Sequence, residues 1–239
     1  MLHKIINTVL DWIFPPRCSV CDRIINPKWE GICPDCLSKL TYINDPYCMK
    51  CGKPLDKCEK EFCDDCQSRE HIYDEGRAAL VYDEYMSASI YRFKYNSKQE
   101  YSKLYGKIIS ERLSDKIMSW NADVIIPVPI HKSKLKSRGY NQAALIAKEI
   151  SKRVNIPVEE RIVSRTIPTK VMKNLGAKER ENNLKKAFIV NKNSVKLNSV
   201  IIVDDIYTTG STIDAMSRIL KDAGVSKVYY IALCIGRGY

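Results

Sequence analysis

The chain has 239 residues, 45% hydrophobic and 28% charged, which is the composition of a soluble globular protein with room for one or two domains and a buried core. Its formal net charge of +11 is concentrated. Residues 1–70 carry 10 Lys/Arg and 11 Asp/Glu, whereas residues 132–196 carry 17 Lys/Arg against 5 Asp/Glu, a surplus of +12. Such a surplus fits a polyanionic partner (nucleic acid, an anionic membrane face or a phosphate-rich small molecule) as well as it fits a solvated lysine-rich surface.

The first apolar stretch, Ile5 to Phe14, is broken by Asn7, Thr8 and Asp11. It is too short to span a bilayer and no small-residue cleavage site follows it, so a cytoplasmic location is expected. The segment could dock on its own domain, on a partner or peripherally on the inner face of the membrane.

Nine of the ten cysteines lie before residue 67, and eight form four C-x-x-C pairs: Cys18/Cys21, Cys33/Cys36, Cys48/Cys51 and Cys63/Cys66. Each pair starts fifteen residues after the last. In a reducing compartment this spacing points to metal rather than disulfides. Two thiolates on one tight turn face one ion, and two such turns close a tetrahedral site with no open position. Two structural Zn²⁺ ions are expected. Consecutive pairing closes short loops and is favoured, with interleaved pairing as the alternative. Cys58 and Cys234 are not expected to be ligands. Residues 1–70 thus read as an apolar segment and a double zinc ribbon whose metal supplies the folding energy a small core cannot.

Residues 71–239 read as an α/β domain: a mostly parallel sheet with helices on both faces. Strands are expected at Ala78–Tyr82, Asp123–Pro129, Val158–Val163, Ser199–Asp205 and Ser226–Ile235. Helices are expected from Tyr101 to Ile117, from Tyr140 to Val154, and from Thr212 to Ala223, the last closed by Gly224. Ligands of such sheets bind beyond the carboxyl ends of the strands. Two loops stand there, Pro127–Gln142 and Asp204–Thr212.

The run VIIVDDIYTTGST, residues 200–212, is the most informative stretch. Apolar residues deliver Asp204 and Asp205 to the sheet edge, and a Thr/Ser/Gly turn opens a helix. Backbone N–H groups at a helix start, with the hydroxyls of Thr208, Thr209, Ser211 and Thr212, can wrap a phosphate, and Gly210 permits close approach. Carboxylates beside that cradle suit vicinal sugar hydroxyls. A Walker B strand would need a G-x-x-x-x-G-K-[ST] partner, which is absent. A plain Thr-capped strand–turn–helix explains TTG alone but not the whole run.

This run resembles the phosphoribosyl-pyrophosphate (PRPP) motif of type I phosphoribosyltransferases. Nearly the whole chain resembles the competence-associated ComF family. The marks are the Phe14–Cys18 run, the C-x-x-C pairs, Lys94–Tyr95, PVP, RGYNQ (Arg138–Gln142), Arg165–Thr166, an E-R-x-x-N segment (Glu179, Arg180, Asn183), Ala187–Phe188 and the PRPP motif. A Gln that the family usually carries before E-R-x-x-N corresponds to Met172. The resemblance implies that Asp204 and Asp205 bind the ribose hydroxyls and that Thr208–Thr212 hold the 5′-phosphate. It also implies that the loop after Pro129 faces the pyrophosphate, with Arg138 the first cationic candidate and Lys136 the second. Arg138 and Asn141 could alternatively serve a helix start. Residues 165–186 would form a hood. His3 and His71 stand outside this expected site, and His131 enters the pyrophosphate loop. The implied activity is Mg²⁺-dependent phosphoribosyl transfer to an unread acceptor, with a PRPP sensor or a non-catalytic scaffold as alternatives. Natural transformation is the implied setting, with single-stranded DNA, a DNA-translocating helicase and a recombination loader as implied partners.

Overall fold

The computed structural model describes residues 15–167, 187–191 and 196–236. The central sheet has four parallel strands: β1 (Glu75–Val81), β2 (Val124–Pro127), β5 (Ser199–Tyr207) and β6 (Lys227–Ile235), in the order β1-β6-β5-β2. A separate antiparallel pair joins β3 (Val163–Arg165) to β4 (Phe188–Val190). The main strands are near-continuous apolar runs, as a sheet covered on both faces requires.

Two short helices, α1 (Pro34–Leu37) and α2 (Asp64–Ser68), precede β1. Side chains alternate between two cores. Ile125, Ile201, Val203, Ile231 and Leu233 face one core together with Phe93 of α3 (Glu84–Tyr95), Tyr105 and Ile109 of α4 (Tyr101–Ser119), and Ile146 and Ile150 of α6 (Gln142–Val154). Val124, Ile126, Ile202 and Tyr230 face the other, against Ile213, Met216 and Leu220 of α7 (Ser211–Asp222). Helices therefore cover both faces, as the pattern of strands and helices implies.

The N-terminal knuckles straddle the edge at β1. Cys18, Cys33 and Cys36 belong to the first core, and Cys48, Cys51 and Cys63 to the second. The segment between them crosses the free edge of β1: the Val81 N–H donates to Thr41 O at 2.8 Å and the Ile43 N–H to Ala79 O at 3.1 Å. An edge that would otherwise template foreign strands is closed by the chain itself.

Two expectations need correction. Val158–Val163 is not one strand. Val158 makes a lone bridge to Ile125, and the strand begins at Val163, because Glu159, Glu160 and Arg161 are exposed charges that cannot enter a buried edge. Pro127–Gln142 is not all loop. It holds α5 (Lys132–Arg138), whose single apolar residue, Leu135, is 45% exposed and leaves no stripe to detect.

Candidate functional site: the carboxyl edge of β5

The eight knuckle cysteines fall into two sets, Cys18/Cys21/Cys33/Cys36 and Cys48/Cys51/Cys63/Cys66, each with its sulfurs within 4.8 Å of one another. This is the consecutive pairing. Sulfur separations of 3.9 Å (Cys21–Cys33) and 3.6 Å (Cys51–Cys63) match the roughly 3.8 Å that a tetrahedral ion with Zn–S bonds near 2.3 Å imposes. The packed thiols divide their protons unequally: hydrogen bonding within the set drives Cys48 far below the ordinary thiol range and Cys51 far above it. A divalent ion removes that conflict by holding all four as thiolates, so the donor sets fit structural zinc. Cys58 is exposed and Cys234 is buried in β6, both outside the sets.

At the carboxyl edge of the sheet, β5 ends at Tyr207 and α7 begins at Ser211. Asp204 and Asp205 sit side by side near the strand end. The Asp205 N–H donates to the Asp204 carboxylate at 2.8 Å, and Lys94 from the last turn of α3 pairs with Asp205 at 2.9 Å. Burial, then the neighbouring charge of Asp205, pushes the Asp204 carboxyl up to about 7. Burial pulls the Lys94 ammonium down, but Asp205 and Asp204 more than offset it and hold it above the ordinary lysine value.

Cations crowd this pair. Arg138 lies 4.9 Å from the Tyr95 ring, donates to its hydroxyl at 3.2 Å and to Gln142 Oε1 at 2.8 Å. Arg165 covers the Phe188 ring at 5.1 Å and feels the charge of Asp204. Lys134, one turn before Arg138 on α5, is pushed down to about 8 by burial and by Arg138, Arg165 and Lys94. Four cations thus stand against two carboxylates, a local surplus of positive charge. Lys136 is exposed on α5, and Lys134 is the lysine that shares this field. Asn141 caps α6, accepting from the Ala143 N–H at 3.1 Å, and His131 caps α5 in the same way through the Ser133 N–H at 3.2 Å.

The turn after β5 presents free backbone donors beside those cations. Gly210 has φ +75° and starts α7 without any side-chain cap. The first intrahelical bond is the Asp214 N–H to Gly210 O, so the N–H groups of Ser211, Thr212 and Ile213 lack intrahelical acceptors. Thr208 and Thr209 are exposed beside them, and the hydroxyls of Thr209 and Ser211 lie 3.0 Å apart. A Cβ at Gly210 would stand 2.5 Å from the Tyr207 hydroxyl and 2.9 Å from His71 Cε1.

His71 is therefore not remote from the site; it packs against the turn. Nothing local in the sequence marks it, because its partner, Asp214, is 143 residues away. Lys134 and Lys94 are likewise brought in by tertiary packing, although Lys94 belongs to the Lys–Tyr mark. The Ile5–Phe14 segment, His3, Lys170, Met172, Lys173, Lys178, Glu179, Arg180, Asn183, Lys185 and Lys186 lie outside the described residues, and so does most of the expected hood.

Two family models match the chain: a double zinc ribbon domain over residues 9–67 and a phosphoribosyl transferase domain over residues 95–238. Competence protein F of Haemophilus influenzae is 31% identical over 217 residues, covering 89% of this chain and 93% of that one. Competence protein ComFC of Bacillus subtilis is 27% identical over 230 residues, covering 93% and 91%. Among solved structures, a hypoxanthine phosphoribosyltransferase from Staphylococcus aureus aligns with a TM-score of 0.35 and 15% identity, over 58% of this chain and 65% of the other.

Proposed function

The chain belongs to the ComF family, which joins a double zinc ribbon to a phosphoribosyl transferase domain, and on that premise we propose that it binds PRPP at the β5–α7 turn and serves DNA uptake in natural transformation. The observation that carries this reading is the juxtaposition at one sheet edge of an acidic pair, an uncapped helix start and four cations. Asp204 and Asp205 accept the ribose hydroxyls, residues 208–212 hold the 5′-phosphate, and Arg138 with Lys134 faces the pyrophosphate. We divide the chain into residues 1–70, the ribbon, and 71–239, the transferase-like part. The proposed location is cytoplasmic; among the described residues no helix is long and apolar enough to cross a membrane.

The proposed chemistry is displacement of pyrophosphate at the anomeric carbon of the ribose. Magnesium bound with the pyrophosphate supplies charge neutralisation of the leaving group. The protein positions the reactants and surrounds the departing charge with Arg138, Lys134 and Arg165, and no nucleophilic side chain is required. Binding without transfer is the sensor alternative.

Calorimetric titration of the zinc-loaded chain with Mg²⁺ and PRPP tests the reading. Wild type gives a saturable heat and Asp205→Ala abolishes it. Pyrophosphate release with a nucleobase marks a transferase, and binding without release marks a sensor. No affinity at millimolar PRPP contradicts the reading and leaves a scaffold.

A second reading, contact with single-stranded DNA, is favoured by the exposed Lys132 and Lys136 beside the site. Oligonucleotide affinity should then fall with salt, at a log–log slope of about −0.7 per phosphate contacted. A salt-independent signal would contradict DNA contact.

A further inference from the structure

The segment that leaves the second zinc knuckle, Arg69–Ile72, does not run free to β1. It docks on the first turn of α7. Asp214 there is buried, accepts from the Ile72 N–H at 2.9 Å and His71 Nδ1 at 2.8 Å, and forms an ion pair with Arg69 at 3.5 Å. A carboxylate in the first turn of a helix would normally compete with an anionic ligand for the helix start. Here its charge is engaged by the ribbon's exit segment.

His71 is the pivot of this contact. One ring edge is gripped by Asp214, and the Cε1 side abuts Gly210. Its ring stacks on Tyr73 at 4.9 Å. The Tyr73 and Tyr207 hydroxyls meet at 2.7 Å, and Tyr207 stacks on Tyr230 at 4.5 Å with the rings 4° from parallel. Tyr230 then donates to the backbone oxygen of Cys51, a member of the second cysteine set, at 2.6 Å. Gly210 is thus packed on one side by a histidine from the ribbon's exit and on another by a tyrosine that rests on a ring held by the knuckle. Two rigid supports meet at the residue whose left-handed conformation aims the N–H groups of α7.

We propose that His71 is a positioning residue for the anion-binding turn, holding Gly210 from the zinc-ribbon side so that the ribbon sets the geometry of the phosphate cradle. This deepens the PRPP reading and rests on it for the identity of the anion. Bound Asp214 and packed Gly210 leave the cradle preformed, so the ligand need not order it.

The test uses the full zinc-loaded chain and two readouts. The first is affinity for inorganic phosphate and for Mg²⁺ with PRPP. His71→Ala weakens both about tenfold, by leaving Asp214 short of a donor and Gly210 unsupported. His71→Asn, whose side-chain N–H can replace Nδ1–H toward Asp214, recovers most of the loss. Zinc content is unchanged in both. The second readout needs no ligand: amide hydrogen exchange over residues 214–217, beginning with the Asp214 N–H that donates to Gly210 O, speeds up in His71→Ala and returns toward wild type in His71→Asn. Unchanged exchange and unchanged affinity in His71→Ala overturn the proposal while the PRPP reading stands. Faster exchange in a chain that binds neither ligand supports the positioning role and counts against the PRPP reading instead.

Discussion

Asp204 and Asp205 are neighbours in the chain with different surroundings. Asp205 has Lys94 at 2.9 Å, whereas Asp204 is half-buried beside Asp205, and desolvation and that neighbouring charge push its carboxyl up to about 7. A carboxyl whose folded value is raised favours its protonated form in the fold. Its contribution to stability is full below pH about 4 and is lost as pH rises toward 7. Asp204→Asn removes the penalty: the melting temperature should rise by a few degrees at pH 8, about 2–4 °C for each kcal/mol relieved, and stay unchanged at pH 4. Thermal melts at the two pH values read this directly, and equal shifts at both would mean that charge is not the cause. The same substitution should weaken PRPP binding. That opposition between stability and function is what a binding carboxylate held under strain produces.

At the scale of elements, β5, the turn and α7 form one unit, and β6 with its tyrosines supports it from below. Gly76 of β1 shows how tight that support is, since a Cβ there would fall inside the Tyr230 ring. Gly76→Ala should cost about 3 kcal/mol by overpacking against a ring that cannot move, because its hydroxyl is fixed on Cys51. Chemical denaturation measures this; a loss under 1 kcal/mol would show that the ring has room. The strands and helices whose apolar pattern is continuous were legible in the sequence. β5 and β6 lie within two residues of their expected ends, and α7 within one at each end. The thiolate sets were legible because four identical spacings allow few arrangements. α5 was not, because its helix is held by its caps, His131 and Gly139, and not by a buried stripe. The acidic pair and the turn were legible as a local motif. Lys134 and His71 were not, since each owes its place to a contact that the chain makes only after folding.

Over the whole molecule, the ribbon and the α/β part share both cores and do not simply lie side by side. Each knuckle buries cysteines in the core of a different sheet face, and the segment between them closes the β1 edge. The ribbon's exit then reaches the first turn of α7 through Asp214. The cysteine knuckles and the β5–α7 turn are consequently parts of one packed body. The positive surplus of residues 132–196 is partly folded into that body, as Lys134, Arg138 and Arg165 surround the acidic pair. The central claim is that this pair and turn form the PRPP site. Hydrogen exchange of the zinc-loaded chain with and without Mg²⁺ and PRPP tests it most directly. The account predicts ligand-induced protection across residues 204–213, with the first knuckle helix, Pro34–Leu37, unchanged. Protection confined to another part of the molecule, with residues 204–213 exchanging as before, would contradict it.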